Sequence, residues 1–233
     1  MAVGVAEAVR RRPPMSERAY LPFERDLQPV ATTQEAFAQE IANDILEIKE
    51  NIEKGEFSPR RFLSTWFQDL SADEIRARED DFQLFLAGQL ERLGHRRYSV
   101  SREPQLAEAT RRDILISHSP EGWNATLELK VSLGNWRLTD YRRALEYQLV
   151  GQYMRARNAK IGFLVLLLQK DRRWKGPEGK YLTFPELLEL LQSDAQVLQA
   201  ADPSLRLQVI GIDAREPKDA GHTTARLARK KGQ

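Results

Sequence analysis

Asp113, Glu128 and Lys130 have complementary chemistry, and their spacing brings them together when the intervening chain folds back on itself. Ser119-Pro120-Glu121-Gly122 is a turn sequence between two strand-like runs, Asp113 to Ser117 and Trp123 to Val131. The simplest assembly is an antiparallel hairpin with His118 facing Trp123. Counting away from that turn sets Asp113 opposite Glu128, both side chains on one face of the sheet. Alternation along the strand puts Lys130 on that face and turns Leu127, Leu129 and Val131 to the other. Carboxylates about 5 Å apart repel each other unless a cation sits between them. Oxygen ligands favour magnesium, with manganese as its substitute, and such an ion beside a lysine suits phosphodiester hydrolysis. An ordinary solvent-facing strand pattern, with Asp113 at a strand edge, accounts for the same residues without chemistry.

The surrounding elements must hold this hairpin. Ile75, Phe82, Phe85, Leu86, Leu90 and Leu93 recur at helical spacing, which predicts a helix from about Ala72 to Leu93 with Gly94 ending it. Short extended runs follow at Tyr98 to Arg102, Asp113 to Ser117 and Trp123 to Val131. Thr139 is placed to cap a helix reaching about Ala156; Ile161 to Leu168 reads as a buried strand, Phe184 to Leu198 as a helix and Leu205 to Ile212 as a strand. This order predicts an α/β fold with a mixed central sheet covered by helices.

Ahead of it, Phe37, Ile41, Ile45 and Ile48 predict a helix from Thr33 to Lys54 stopped by Gly55, and Ser58-Pro59 opens a short helix through Trp66 and Phe67. The expected division is a flexible leader over 1–32, a helical extension over 33–71, the sheet domain over 72–215 and a loose basic tail over 216–233. The acidic extension is also a candidate docking element for a partner protein.

Composition excludes several function classes. The chain has 233 residues and no cysteine, which argues against a disulfide framework, zinc fingers and thiol nucleophiles; His95, His118 and His222 are too scattered for a zinc site. No apolar run reaches the roughly 18 to 20 residues that span a bilayer. With no apolar stretch after Arg10–Arg12 to suggest secretion, the expected compartment is the cytoplasm. Charge is unevenly distributed: Gln34 to Asp81 holds 13 acidic and 6 basic residues, whereas Arg137 to Lys175 holds 10 basic and 3 acidic. Within the basic segment, Arg137, Arg142, Arg143, Arg155, Arg157 and Lys160 flank the helix after Lys130 and are candidate phosphate contacts, while Trp136 and Tyr141 are candidates for stacking on bases. No Gly-rich Lys-Ser/Thr phosphate loop is present, so an energy-driven step would need another subunit.

The order helix, strand, Arg112-Asp113-Ile114, hairpin, Leu127-Glu128-Leu129-Lys130, helix resembles the PD-(D/E)XK nuclease superfamily over residues 72 to 213. Arg112 stands where that motif has its proline. The resemblance implies a restriction-endonuclease-like fold and a deoxyribonuclease activity, with Asp113 and Glu128 holding magnesium and Lys130 assisting the attacking water. It also implies an acidic residue from the preceding helix, for which Glu79 is chosen over Asp80, Asp81 and Glu91; Glu103 resembles a frequent strand-end acid. On the helix after Lys130, Tyr141, Leu145, Gln148, Leu149 and Gln152 fall on one side at helical spacing. Gln148-Leu149-Val150-Gly151-Gln152-Tyr153 is similar to the RecB-like branch, with the tyrosine displaced by one residue; this implies an active-site role for Gln148, with Gln152 and Tyr153 as further candidates. The alternative is a non-catalytic nucleic-acid-binding or assembly subunit that keeps the fold without the activity.

Overall fold

The computed structural model describes residues 31–55, 59–60, 63, 72–95, 97–102, 113–132 and 136–215. Outside them lie the leader up to Val30, most of the helix expected from Ser58 to Phe67, Glu103, Arg112 and the basic tail from 216. Thr33 caps helix α1 (Gln34–Lys54), its hydroxyl accepting the Ala36 N–H at 3.0 Å. Helix α2 spans Ala72–Leu93. Strands β1 (Ser99–Arg102), β2 (Ile114–Ser117) and β3 (Asn124–Val131) follow, then α3 (Leu138–Arg143) and its continuation to Tyr153. After β4 (Ile161–Leu168), a small hairpin of β5 (Trp174–Lys175) and β6 (Tyr181–Leu182) precedes α4 (Phe184–Ala201) and β7 (Arg206–Asp213). From Ala72 onward the expected element order is present, with the β5–β6 hairpin added.

The five longer strands form one mixed sheet in the order β1-β2-β3-β4-β7. β1 and β2 run antiparallel to their successors, whereas β3, β4 and β7 run parallel, so helical connections must cross the sheet faces. Every residue of β4 is buried, as its near-continuous apolar sequence requires of a central parallel strand.

Alternation divides the core between the two faces. Ile114, Ile116, Leu127, Leu129 and Val131 pack with Phe163, Val165 and Leu167 against α1 and α2. Leu164, Leu166 and Leu168 pack on the other face with Leu145, Leu149, Leu187 and Leu191. Phe37, Ile41, Ile45, Ile48 and Ile52 of α1 belong to the first core, so this helix buries its apolar face on the sheet. A buried polar lock reinforces it. Asp44 accepts from Arg97 Nη2 at 2.9 Å and from the Tyr98 hydroxyl at 2.6 Å, and Glu40 pairs with the same guanidinium.

The β2–β3 turn has the expected register. Ile114 pairs with Leu127 and Ser117 with Asn124, and the His118 N–H donates to the Trp123 carbonyl at 2.8 Å. Gly122 takes φ +67°, in the left-handed region that favours glycine. His118 stacks on Trp123 with ring centres 5.1 Å apart and lies 4.9 Å from Phe37, so the hairpin's turn end rests on α1.

Candidate active site

β3 outruns β2. Its pairing with β2 stops at Leu127, yet the strand continues to Val131. The unpaired edge needs hydrogen-bond acceptors, and two carboxylates face it. Asp113 Oδ2 accepts the Leu129 N–H at 2.6 Å. Glu79, reaching in from α2, faces the Val131 backbone, which acts to lower its carboxyl. Asp113 precedes Ile114 and so falls on the opposite face from it, the face of Glu128 and Lys130. The strand's shape thus gathers Glu79 and Asp113 beside the two residues that alternation brings to that face.

Glu128 and Lys130 are almost fully buried, with 2% and 6% of their surfaces exposed, and Lys130 Nζ lies 2.6 Å from Glu128 Oε1. The ammonium also sits 5.0 Å from the centre of the Trp136 ring. Burial pushes the Glu128 carboxyl up to about 7, against the Lys130 charge that lowers it, with Asp113 and Glu79 adding to the rise. Glu79 is raised for the same reasons in the same order: burial first, opposed by Lys130, assisted by Asp113. For Lys130, burial lowers the ammonium, but Glu128, Asp113 and Glu79 together outweigh it and the net shift is upward. Three acidic groups thus act on one buried cation.

A buried carboxylate oxygen normally has a donor, but Glu128 Oε2 and Glu79 Oε1 are buried with no hydrogen-bond partner. Hard oxygen donors left this way match magnesium in kind. Among the described residues, however, no three acidic or histidine side chains are gathered as a ready metal-binding group. Glu128 directs its other oxygen to Lys130, and Asp113 holds the Leu129 amide. What the cluster offers a divalent ion is two hard, unpartnered oxygens, one from Glu128 and one from Glu79.

No protein-family model, curated protein or solved structure matches the chain.

The helix over the site differs from expectation. Arg137, rather than Thr139, occupies the N-cap, and the Asp140 carboxylate accepts the Arg137 N–H at 2.7 Å. From Ala144 to Tyr153 the helix winds in the wider π form, ending with a bond from the Met154 N–H to the Leu149 carbonyl five residues back at 3.1 Å. Wider winding redistributes the faces. Ala144, Leu145, Leu149 and Tyr153 are buried, Gln148 is half-buried and Gln152 is exposed. Gln152 therefore does not share the buried face expected from α-helical spacing, and Tyr153 belongs to the core. Among the described residues, no hydrogen bond joins Gln148 to Glu128 or Lys130.

The expected basic cluster is spread over different surroundings. Arg137 is exposed at the start of α3, following the Trp136 that flanks Lys130. Arg142 is held by Asp194 of α4 through Nε at 2.8 Å and Nη2 at 3.2 Å, while Arg143 is exposed. Arg155 and Arg157 are exposed just before β4, whose first residue Ile161 pairs with Ala125 at the start of β3. Five residues of strand, about 17 Å, separate that level from Lys130.

Residues not anticipated complete the site's rim. The buried Ser132 hydroxyl donates to Gln169 Oε1 at 3.0 Å, and Arg172 donates to the carbonyls of Ser132 and Trp136, the latter at 2.8 Å. Ser132 continues the alternation of Glu128 and Lys130, a legible signal. Arg172 lies four residues beyond β4, and its partners depend on how adjacent parallel strands end.

Proposed function

We propose that the protein is a metal-dependent nuclease of restriction-endonuclease-like fold that hydrolyses phosphodiester bonds in DNA. Support comes from α2 preceding an antiparallel β1–β2–β3 meander and from the crossover helix joining parallel β3 and β4. The observation that carries the reading is the pair of buried, unpartnered carboxylate oxygens, Glu128 Oε2 and Glu79 Oε1, in the electrostatic environment of Asp113 and Lys130.

Asp113 and Glu128, joined by Glu79, are assigned to hold magnesium. When bound, magnesium supplies Lewis-acid polarisation of the phosphodiester and makes a water acidic enough to serve as nucleophile. Lys130 orients that water and offsets negative charge developing on the phosphate, a task suited to a buried ammonium in a weakly screened setting. Half-buried Gln148 is assigned a supporting role by the resemblance alone, and exposed Arg137 and Arg143 are assigned to flanking phosphates.

Cleavage of linear, circular and single-stranded DNA, with magnesium, manganese or chelator, tests this reading. Metal-dependent cleavage abolished by Asp113→Asn is expected. Equal cleavage by Asp113→Asn and wild type removes the assigned centre.

The burial of Glu128 and Lys130 as an internal ion pair favours a second reading, a nucleic-acid-binding subunit in which the pair is structural. That reading expects DNA binding with no cleavage under any metal.

A further inference from the structure

The sequence between β4 and α4 is strongly basic, and its folding puts cations and an aromatic ring on one outward surface. Lys170, Arg172, Arg173, Lys175 and Lys180 lie between Leu168 and Thr183, opposed by Asp171 and Glu178, and Lys180 is paired with Glu186 at 2.9 Å. The β5–β6 hairpin is anchored from below: Trp174 pairs with Leu182, and both are buried. Alternation then turns the neighbouring pair, Lys175 and Tyr181, to the opposite side. Both are exposed, and Tyr181 leaves 60% of its surface open. A cation and an aromatic side chain therefore stand side by side facing solvent. The turn holds this arrangement through the Gly176 N–H, which donates to the Lys180 carbonyl at 2.7 Å.

Beside the hairpin is a cavity of about 660 Å³ lined by Arg172, Arg173, Arg215, Asp171, Thr183 and Phe184. Arg215 is paired with Asp213 and Asp171, and Arg173 is exposed to solvent. Arg172 donates to the carbonyls of Ser132 and Trp136, and its guanidinium lies 5.5 Å from the centre of the Trp174 ring. Those bonds connect the cavity to the candidate centre, because Ser132 follows Lys130 by two residues and the Trp136 ring flanks the Lys130 ammonium. The arrangement lies at the carboxyl ends of parallel strands β3, β4 and β7, where ligands of open α/β sheets commonly bind.

We infer that the β5–β6 hairpin and the arginine-lined cavity form a docking track for single-stranded DNA leading to the Lys130 centre. Arg173 and Lys175 contact phosphates, and the Tyr181 ring stacks on an unpaired base. Phosphate contacts make binding salt-dependent, while an exposed ring is useful to a strand whose base faces are free. The inference rests on the nuclease reading for the direction of the track, but binding itself is measurable without cleavage.

The test is fluorescence anisotropy of the full chain with a labelled 20-nucleotide oligothymidine and with a 20-base-pair duplex, both in chelator so that no strand is cut. The wild type is expected to bind the single strand at least tenfold more tightly. Arg173→Glu combined with Lys175→Glu is expected to weaken single-strand binding at least tenfold and flatten its salt dependence. Tyr181→Ala is expected to weaken it several-fold with the salt dependence retained. Each position is exposed, and thermal melting checks that the variants remain folded. Equal binding of single strand and duplex, or unchanged binding by both variants, overturns the inference. Metal-dependent cleavage by the wild type with unchanged binding by the variants removes the track and leaves the nuclease reading. Weakened binding by the variants with no wild-type cleavage does the reverse.

Discussion

The Asp113 carboxylate accepts the Leu129 amide at 2.6 Å, closing an edge of β3 that β2 is too short to cover. A residue assigned to metal binding thus also completes the sheet, and the two roles respond differently to substitution. Asp113→Asn keeps a carbonyl oxygen for the amide and is expected to melt near the wild type. Asp113→Ala strands the amide and is expected to lose about 1 to 3 kcal/mol in urea unfolding. Both should abolish metal-dependent cleavage. Equal stability of the two variants in urea would show that the amide finds another acceptor.

Under the proposed function, Glu128 is expected to make metal binding depend on pH. Burial raises its carboxyl to about 7, so a proton competes with a cation below neutrality. Manganese affinity is expected to rise through about pH 7 and level off above it, and Glu128→Gln should weaken binding and remove this rise. Titration calorimetry at pH 6 and pH 8 measures both effects.

The same shift has a stability consequence of defined sign. A carboxyl whose folded pKa exceeds its unfolded value binds its proton more tightly in the folded state. Its contribution is complete below the ordinary carboxylate range and declines as pH rises towards about 7. Glu128→Gln is expected to reduce that decline, as measured by denaturant unfolding between pH 4.5 and 7.5.

Lys130→Ala leaves Glu128 buried without its cation. Removing one partner of a buried pair costs about 3 to 5 kcal/mol with Glu128 ionised; without the Lys130 charge that lowers it, the Glu128 carboxyl titrates higher than in the wild type, so the variant should recover part of the loss once the pH falls below that raised value. Turnover should fall about 100-fold or more. Lys130→Met, similar in length but uncharged, separates lost charge from lost packing when melting and cleavage are compared.

Arg142 and Arg143 are neighbours with different expected effects. Arg142 is committed to Asp194, and Arg142→Ala is expected to cost up to about 1 kcal/mol in thermal or urea unfolding while leaving the salt dependence of DNA binding intact. Arg143→Ala, at an exposed site, should flatten that salt dependence and leave stability unchanged.

The sequence determined the meander and its register. The Ser119–Gly122 turn and the strict alternation in Trp123–Val131 are local signals, and turn length with a period of two fixes which residues face each other. That placed Asp113, Glu128 and Lys130 on one face. The apolar periodicity of α1 and α2 was equally local. Tertiary structure decided what depends on unequal strand ends and the fit between layers. Glu79, chosen at the sequence level only through the family resemblance, joins the cluster because β3 extends beyond β2 and its Val131 backbone faces a side chain from α2. Arg142 became part of a helix-to-helix pair through the approach of α4, and Arg172 joined the rim through the end of the neighbouring strand. The wider winding after Ala144 left Gln148 half-buried and turned Gln152, expected on the same face, to solvent. Side-chain period is written along the chain, whereas the reach of a residue across layers is set only when the layers pack.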